Sequence, residues 1–291
     1  MPMTSQREGT FRGAGGLEIH HVCWSPEPDP VKATVIVAHG VAEHSGRYHE
    51  VAADLVARGY EVWALDHRGH GRSAGRRGHV EHSSAFVADL ETFRLRAVQA
   101  APDRPAVLLG HSMGGAIALA HAIAHPDVWN GLVLSGPAVE PGRGAGAALV
   151  AVGKVLARVL PTAGVVQLDG STISRDPSVV DAYRNDPLVH TGKLSARLGA
   201  ELLAAAAGFP QGAATLRLPV LIVHGDDDRL VDVEGSRRLL GWLGSSDKTL
   251  REYAGLYHEV FNEPERDQVL DDVAGWLDER VDGWAAGRAG G

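Results

Sequence analysis

The chain has 291 residues, of which 44% are hydrophobic and 22% charged, and its formal net charge is −8. This length allows one large domain or one domain with an insertion, and the composition is that of an ordinary globular protein. The negative charge argues against nucleic acid as a partner, because phosphate binding needs a basic face, and the single cysteine, Cys23, excludes an internal disulfide.

Short apolar segments alternate with longer amphipathic segments along most of the chain. A polar strand is predicted at 17–24, and nearly continuous apolar strands are predicted at 34–39, 61–66, 106–111, 131–135, 220–224 and 248–253. Helices are predicted at 47–58, 84–99 and 113–125, the last of which ends before Pro126. This alternation predicts an α/β fold with a mostly parallel central sheet and helices on both faces.

The alternation stops between residues 137 and 213, a segment that is too long for an ordinary connection. We interpret it as a helical cap inserted into the core. The chain then divides into a core formed by 1–136 and 214–283, a cap at 137–213 and a flexible tail at 284–291.

One stretch of the predicted cap, 147–160, has two contrasting helical faces. Its apolar residues are Leu149, Val152, Leu156, Val159 and Leu160, and its basic residues are Lys154 and Arg158. Such a helix either packs on the domain or contacts a lipid surface. We leave both alternatives open at this stage.

The N-terminal segment has no apolar stretch typical of a signal peptide, and no apolar run reaches the roughly 18–20 residues that a membrane span needs. We therefore expect a cytoplasmic protein or one that associates peripherally with a membrane. The 15 histidines suggest a metal site, but no H-E-x-x-H pattern or comparable motif occurs. We expect neither a metal nor a cofactor.

The pattern G-x-S-x-G occurs twice, around Ser73 and around Ser112. Ser112 follows an apolar strand and precedes a helix, which is the setting of a nucleophile elbow. Gly110 and Gly114 leave room for the sharp turn, and the helix N-terminus directs N–H groups at the developing negative charge. Ser73 lies in a polar Gly/Arg loop, so Ser112 is the predicted nucleophile.

The serine needs a base that takes its proton. In a fold with this kind of turn, an acid and then a histidine follow the nucleophile along the chain. His258 lies between the last strand and the last helix, where its ring can reach Ser112. The loop after the strand at 220–224 offers three acids, Asp226, Asp227 and Asp228. The backbone N–H groups of Val41 and Met113 are the predicted oxyanion hole.

These residues lie in blocks that resemble the monoacylglycerol lipase group of the serine α/β-hydrolases. The blocks are H-G-V-A-E-H-S-G-R-Y (39–48), D-H-R-G-H-G-R-S (66–73), G-H-S-M-G-G (110–115), Y-R-N-D-P-L-V (183–189), G-D-D-D-R-L-V (225–231) and Y-H-E-V-F-N-E (257–263). The likeness extends from about residue 8 to residue 276, which is nearly the whole chain.

The resemblance implies an α/β-hydrolase fold with a cap and the triad Ser112, Asp228 and His258. It implies glycerol contacts at Glu43, Arg47 and Tyr183. The implied activity is cleavage of monoacylglycerol to glycerol and a fatty acid through an acyl-enzyme. The chain departs from some members at Phe261, where they carry a second histidine.

Three functions remain in competition at this stage. The first is the monoacylglycerol lipase, the second a lysophospholipase or general carboxylesterase, and the third a non-catalytic binding protein on the same scaffold. The implied partners are a lipid ester substrate and, through the cap, a membrane surface. The protein itself is expected to be a monomer or a homodimer.

Overall fold

The computed structural model describes residues 3–27, 30–140, 153 and 155–289. Its strands are β1 Met3–Arg12, β2 Glu18–Glu27, β3 Ala33–Ala38, β4 Tyr60–Leu65, β5 Ala106–His111, β6 Gly131–Ser135, β7 Gly164–Val166, β8 Leu194–Ser195, β9 Val220–Gly225 and β10 Lys248–Tyr253. Its helices are α1 His49–Ala57, α2 Ser84–Val98, α3 Met113–Ala124, α4 Pro177–Asn185, α5 Ala196–Ala206, α6 Phe209–Ala213, α7 Val233–Trp242 and α8 Arg266–Ala289. Residues 155–159 are also helical.

Eight strands form one sheet in the order β1-β2-β4-β3-β5-β6-β9-β10. In this order, each neighbouring pair from β4 through β3, β5, β6 and β9 to β10 is parallel. At one edge of the sheet, β2 pairs antiparallel with both β1 and β4. The predicted mostly parallel sheet is confirmed. Strand β1 was not predicted, because its residues are mostly polar and do not form an apolar run.

Alternate side chains of the strands enter two separate apolar clusters, one on each face of the sheet. Ile36 of β3 packs in the cluster that contains residues of α2, α3 and α7. Its neighbours Val35 and Val37 pack in the cluster that contains residues of α1 and α8. Helices therefore cover both faces, as the apolar strands predicted.

Between β6 and β9 the described residues hold α4, α5, α6, the helical segment 155–159 and the short strand pair β7–β8. Leu149, Val152 and Lys154 of the predicted amphipathic stretch lie outside the described residues. Leu156 is half-buried, and Val159, Leu160 and Arg158 are exposed.

The predicted tail at 284–291 is wrong in its start, because α8 continues to Ala289. The ring of Trp284 lies 6.0 Å from that of Trp276 and packs against the apolar cluster on the α1 face, so the helix is held there. Cys23 in β2 is fully buried. Within the described ranges, no helix is long and apolar enough to cross a membrane.

Candidate active site

Ser112 lies at a strained turn between β5 and α3. Its φ of 54° is in the left-handed region, and it is one of two non-glycine residues with positive φ among the described residues. A Cβ at Gly114 would collide with the carbonyl oxygen of Ala38, and one at Gly110 would collide with the backbone of Gly114. The two glycines therefore make the tight turn possible, as the sequence predicted.

Ser73, in the other G-x-S-x-G, has a different setting. Its hydroxyl donates a 2.6 Å hydrogen bond to the carbonyl of Asp66 and accepts one of 2.8 Å from the backbone N–H of His20. No element begins at Ser73 as α3 begins after Ser112. Its hydroxyl therefore fixes a loop to β2.

His258 and Asp228 are in direct contact. His258 Nδ1 lies 2.6 Å from Asp228 Oδ2, and both side chains are buried. The carboxylates of Asp226 and Asp227 have other contacts: Asp226 accepts from the backbone N–H of Gly255, and Asp227 pairs with Arg229 at the surface. Of the three candidate acids, the structure brings Asp228 to the histidine.

Local charges set the protonation of this pair. Burial by itself lowers the pKa of His258, but the negative charge and hydrogen bond of Asp228 outweigh it and raise this pKa above its usual value. Burial raises the pKa of Asp228, yet His258 and a second histidine, His224, hold it well below its usual range. Asp228 is therefore a carboxylate at neutral pH.

His111, next to the serine, is a poor base. Burial, together with the nearby His258, lowers the pKa of His111 to about 4. Its Nδ1 lies 3.1 Å from both the carbonyl oxygen and the hydroxyl of Ser135. Its ring contacts that of His258 at 4.6 Å between centroids, so it packs against one side of the predicted base.

The loop after β3 carries Val41, which lines the same cavity as Met113 and Ser112. Glu43 fixes this loop, because its Oε1 accepts a 2.5 Å hydrogen bond from the backbone N–H of Gly40. Ala42 has a φ of 72°, and its carbonyl accepts 2.7 Å from the N–H of His190 in the segment before β8. The loop is thus held from two sides in a conformation that an L-residue seldom adopts.

The three residues carried over as glycerol contacts occupy different positions. Glu43 and Tyr183 line the cavity with Ser112, whereas Arg47 lies behind Glu43 and stacks 4.8 Å from the Tyr183 ring centre. Arg47 donates 2.9 Å to Glu43 and bonds Glu259 through both Nη atoms. All three side chains are largely buried.

The cavity above Ser112 has a volume of about 280 Å³ among the described residues. Its floor holds Ser112, His258 and Glu259, and its wall is mostly apolar. That wall includes Leu202, Leu203 and Ala206 of α5, Leu168, Ile173 and Leu230. The arrangement suits a ligand with a polar end at the serine and an apolar remainder.

Comparison with known proteins gives consistent relatives. The family described as "Serine aminopeptidase, S33" matches residues 29–265. The monoacylglycerol lipase of Mycolicibacterium smegmatis is 48% identical over 277 residues, which cover 95% of this chain and 99% of the relative. The monoglyceride lipase of Mus musculus is 39% identical over 267 residues, covering 91% and 88%.

The chain belongs to the monoacylglycerol lipase group of the serine α/β-hydrolases. The crystal structure of the monoacylglycerol lipase from Paleococcus ferrophilus matches it with a TM-score of 0.79 and 31% identity, covering 94% of this chain and 98% of that one. The resemblance seen in the sequence blocks and the predicted α/β-hydrolase fold are confirmed.

Two buried residues of this lipase-group site were not predicted from the sequence. Glu259 follows His258 directly and forms the ion pair with Arg47. His224, at the end of β9, contacts Asp228. No pattern in the sequence relates Glu259 to Arg47, because the two residues lie 212 positions apart along the chain. Phe261 is buried in the apolar cluster on the α1 face, so its ring serves packing there.

One group of side chains in the described residues has the spacing of a cation site, namely Glu91, His121 and His125. His121 Nδ1 accepts 3.0 Å from the indole N–H of Trp129, so its Nε2 carries the ring proton, which points to Glu91. A metal would need that nitrogen deprotonated. Arg94 also bonds Glu91, so the group fits an ordinary hydrogen-bond network better than a metal.

Proposed function

We propose that this protein is a serine hydrolase that cleaves monoacylglycerol to glycerol and a free fatty acid through an acyl-enzyme. The observation that carries the proposal is that Ser112, on its strained turn, and His258, bonded to Asp228, line one largely apolar cavity. The substrate class is supported by relatives named as monoacylglycerol lipases over nearly their full length.

In the proposed reaction, Ser112 Oγ attacks the ester carbonyl while His258 takes its proton. Asp228 holds the ring in the tautomer with the proton on Nδ1 and stabilises the imidazolium. The N–H groups of Val41 and Met113 bind the oxyanion. His258 then protonates the leaving glycerol oxygen, and water releases the fatty acid by the same steps.

Residues 137–213 are proposed to act as a cap whose inner face receives the acyl chain. The described part of this segment contacts both the loop that carries His258 and the loop after β3. The N–H of Glu259 donates a 2.8 Å hydrogen bond to the carbonyl oxygen of Ile173, and His44 Nε2 lies 2.8 Å from Asp186 Oδ2. Each buried CH₂ contributes roughly 0.8 kcal/mol, so catalytic efficiency should rise with acyl length until the cavity is full.

Glycerol is proposed to lie beside Glu43 and Tyr183. Arg47 would act on it indirectly, because its guanidinium already bonds Glu43 and Glu259. The size of the cavity limits which esters can bind, since an ester with three acyl chains is much bulkier than one with a single chain. Triacylglycerol is therefore expected to be a poor substrate.

The test is hydrolysis of a monoacylglycerol series of increasing chain length, beside a lysophospholipid, a short-chain ester and triolein. We expect the monoacylglycerols to give the highest kcat/KM. Higher kcat/KM for the lysophospholipid or the short ester would favour the phospholipase or carboxylesterase alternative. No turnover of any ester would favour a binding protein, and rapid cleavage of triolein would contradict the narrow cavity.

Peripheral contact with a lipid surface is a separate proposal for the cap. Val155, Val159, Leu160, Val165 and Val166 are between 41% and 69% exposed and lie close together in sequence, which is unusual for apolar side chains. We expect Val159→Glu to weaken co-sedimentation with vesicles that contain anionic lipid. Leu95→Glu in α2, 54% exposed, is the matched control. Equal binding by both variants would remove the membrane role.

A further inference from the structure

A second histidine, His224, contacts Asp228, the acid of the proposed triad. His224 ends β9 with no exposed surface, and its Nε2 lies 3.0 Å from Asp228 Oδ2. On the other side of the ring, Nδ1 lies 2.7 Å from the hydroxyl of Ser236 in α7, which is also fully buried. His224 does not line the cavity above Ser112. Its Nε2 also lies 3.4 Å from the carbonyl oxygen of Val231, so its side chain reaches the reacting groups through Asp228 and the loop that holds Asp228.

These contacts fix the proton positions. Asp228 Oδ2 is an acceptor, so the Nε2–H of His224 donates to it. Nδ1 is then the acceptor, and the Ser236 hydroxyl donates to it. Ser236 thereby selects the tautomer that donates to Asp228.

The carboxylate of Asp228 receives four hydrogen bonds. Its Oδ1 accepts from the backbone N–H groups of Leu230 and Val231 at 2.8 and 2.9 Å. Its Oδ2 is shared by His258 and His224. The donor from His224 fixes the rotation that turns Oδ2 toward His258, and it takes part of the negative charge that His258 would otherwise meet alone.

We propose that Ser236 and His224 form a positioning arm for Asp228, which orients Oδ2 toward His258 and moderates the basicity of that ring. The proposal rests on the proposed function, since it assigns Asp228 to the catalytic triad. His224 is a positioning residue, because it acts on the reaction through Asp228.

The comparison of His224→Leu with His224→Gln tests the arm. Leucine fills the space without a donor, whereas the glutamine amide can donate to Asp228 and accept from Ser236. For His224→Leu we expect kcat on a water-soluble ester to fall roughly 10- to 100-fold with KM nearly unchanged, because Asp228 loses one of the four hydrogen bonds that orient its carboxylate toward His258. His224→Gln should restore most of the turnover.

The pH profile separates positioning from packing. Besides Asp228, the titratable groups that face His258 are Glu259, Glu43 and His111, and both variants leave them in place. Without the competing donor, Asp228 presents more negative charge to His258. The acid limb of kcat/KM should therefore move to higher pH in His224→Leu and stay near the wild-type position in His224→Gln.

Ser236→Ala provides a variant that leaves His224 in place. It frees the ring to take the other tautomer, so the low-field proton resonance of the His258–Asp228 hydrogen bond should move further downfield. If His224→Leu does not fold, this resonance decides, and an unchanged resonance would overturn the arm. So would a folded His224→Leu with wild-type kcat and pH profile.

Asp228→Asn and Asp226→Asn, measured in parallel, distinguish failure of the arm from failure of the proposed function. We expect Asp228→Asn to lose up to ~10⁴-fold in kcat and Asp226→Asn to keep most activity. Full activity of Asp228→Asn would refute the triad itself, whatever the His224 variants do. A dead Asp228→Asn with a fully active His224→Leu would refute only the arm.

Discussion

Arg47 donates two parallel hydrogen bonds to Glu259, of 2.6 and 2.7 Å. This buried pair joins the turn Ser45–Tyr48, next to the oxyanion loop, to the residue that follows His258. Arg47 also bonds Glu43, which holds the N–H of Gly40. The loop of the predicted base and the loop of the predicted oxyanion hole are thus connected through one guanidinium.

Arg47→Gln should therefore destabilise the protein strongly. It removes the cation that two buried carboxylates, Glu43 and Glu259, share, and leaving buried charge uncompensated costs about 3 kcal/mol or more of the free energy of unfolding. Urea denaturation measures the change. Arg251→Gln is the control: it breaks the surface pair with Asp272, where Arg251 is 46% exposed, and the expected loss is below about 1 kcal/mol. Equal losses would contradict the structural role of the Arg47–Glu259 pair.

The two G-x-S-x-G serines should respond differently to replacement by alanine. Ser112→Ala removes the proposed nucleophile and should lower kcat by on the order of 10⁴-fold or more. Ser73→Ala loses two loop hydrogen bonds, so it should lower the melting temperature and keep the activity of the folded protein. A fluorophosphonate probe should label wild type and Ser73→Ala. Labelling that persists in Ser112→Ala and disappears in Ser73→Ala would reverse the assignment.

The raised pKa of His258 predicts the acid limb of the reaction. His258 must be neutral to accept the serine proton, so kcat/KM should fall as the pH drops through a value above the ordinary histidine pKa of about 6.5. Kinetics on a soluble ester, measured on both sides of that value, define this limb. A limb below the ordinary value would indicate that burial outweighs Asp228.

The same shift has a consequence for stability. Because the pKa is higher in the folded state, the His258–Asp228 contact contributes its full stabilisation below the unfolded pKa. This contribution is lost as the pH rises through the folded pKa. Other groups also titrate, so the comparison is with His258→Gln, whose unfolding free energy should lack this part of the pH dependence.

Replacement by alanine should have opposite effects on stability at two helical glycines, Gly114 and Gly241. Gly114→Ala places a methyl group against the carbonyl of Ala38 and should displace the turn at Ser112, with loss of activity and stability. Gly241 in α7 has open space on its side-chain side, since apart from its chain neighbours and the backbone of its own helix nothing lies within 4 Å of the position that a Cβ would take. Gly241→Ala should raise the free energy of unfolding by roughly 0.5–1 kcal/mol. Thermal and urea unfolding compare them.

Much of the sheet could be predicted because its strands are buried on both faces and therefore read as continuous apolar runs. β5 was predicted at its observed bounds, 106–111. β1 could not be recognised in this way: it is an edge strand whose stability comes from pairing with β2 and not from an apolar run. The end of α8 was missed for a related reason, since Trp284 is held by its contact with the ring of Trp276.

The candidate site was predictable where short motifs carry the chemistry. The turn around Ser112 requires glycines at fixed positions, so its sequence is specific. The contacts of His224, Ser236 and Glu259 join separate loops, and no spacing rule relates them. They become visible only when the ends of β5 and β9 and the loop before α8 are brought together at one edge of the sheet.

Cys23 gives the protein one built-in reporter. Its thiol is 1% exposed in β2, between β1 and β4, and burial raises its pKa, which disfavours the reactive thiolate. A thiol reagent in solution therefore reaches it only when the edge hairpin opens or the chain unfolds. The rate at which the reagent modifies Cys23 therefore measures how often the hairpin or the whole chain opens. The measurement needs no substitution, and Cys23 takes no part in the proposed chemistry.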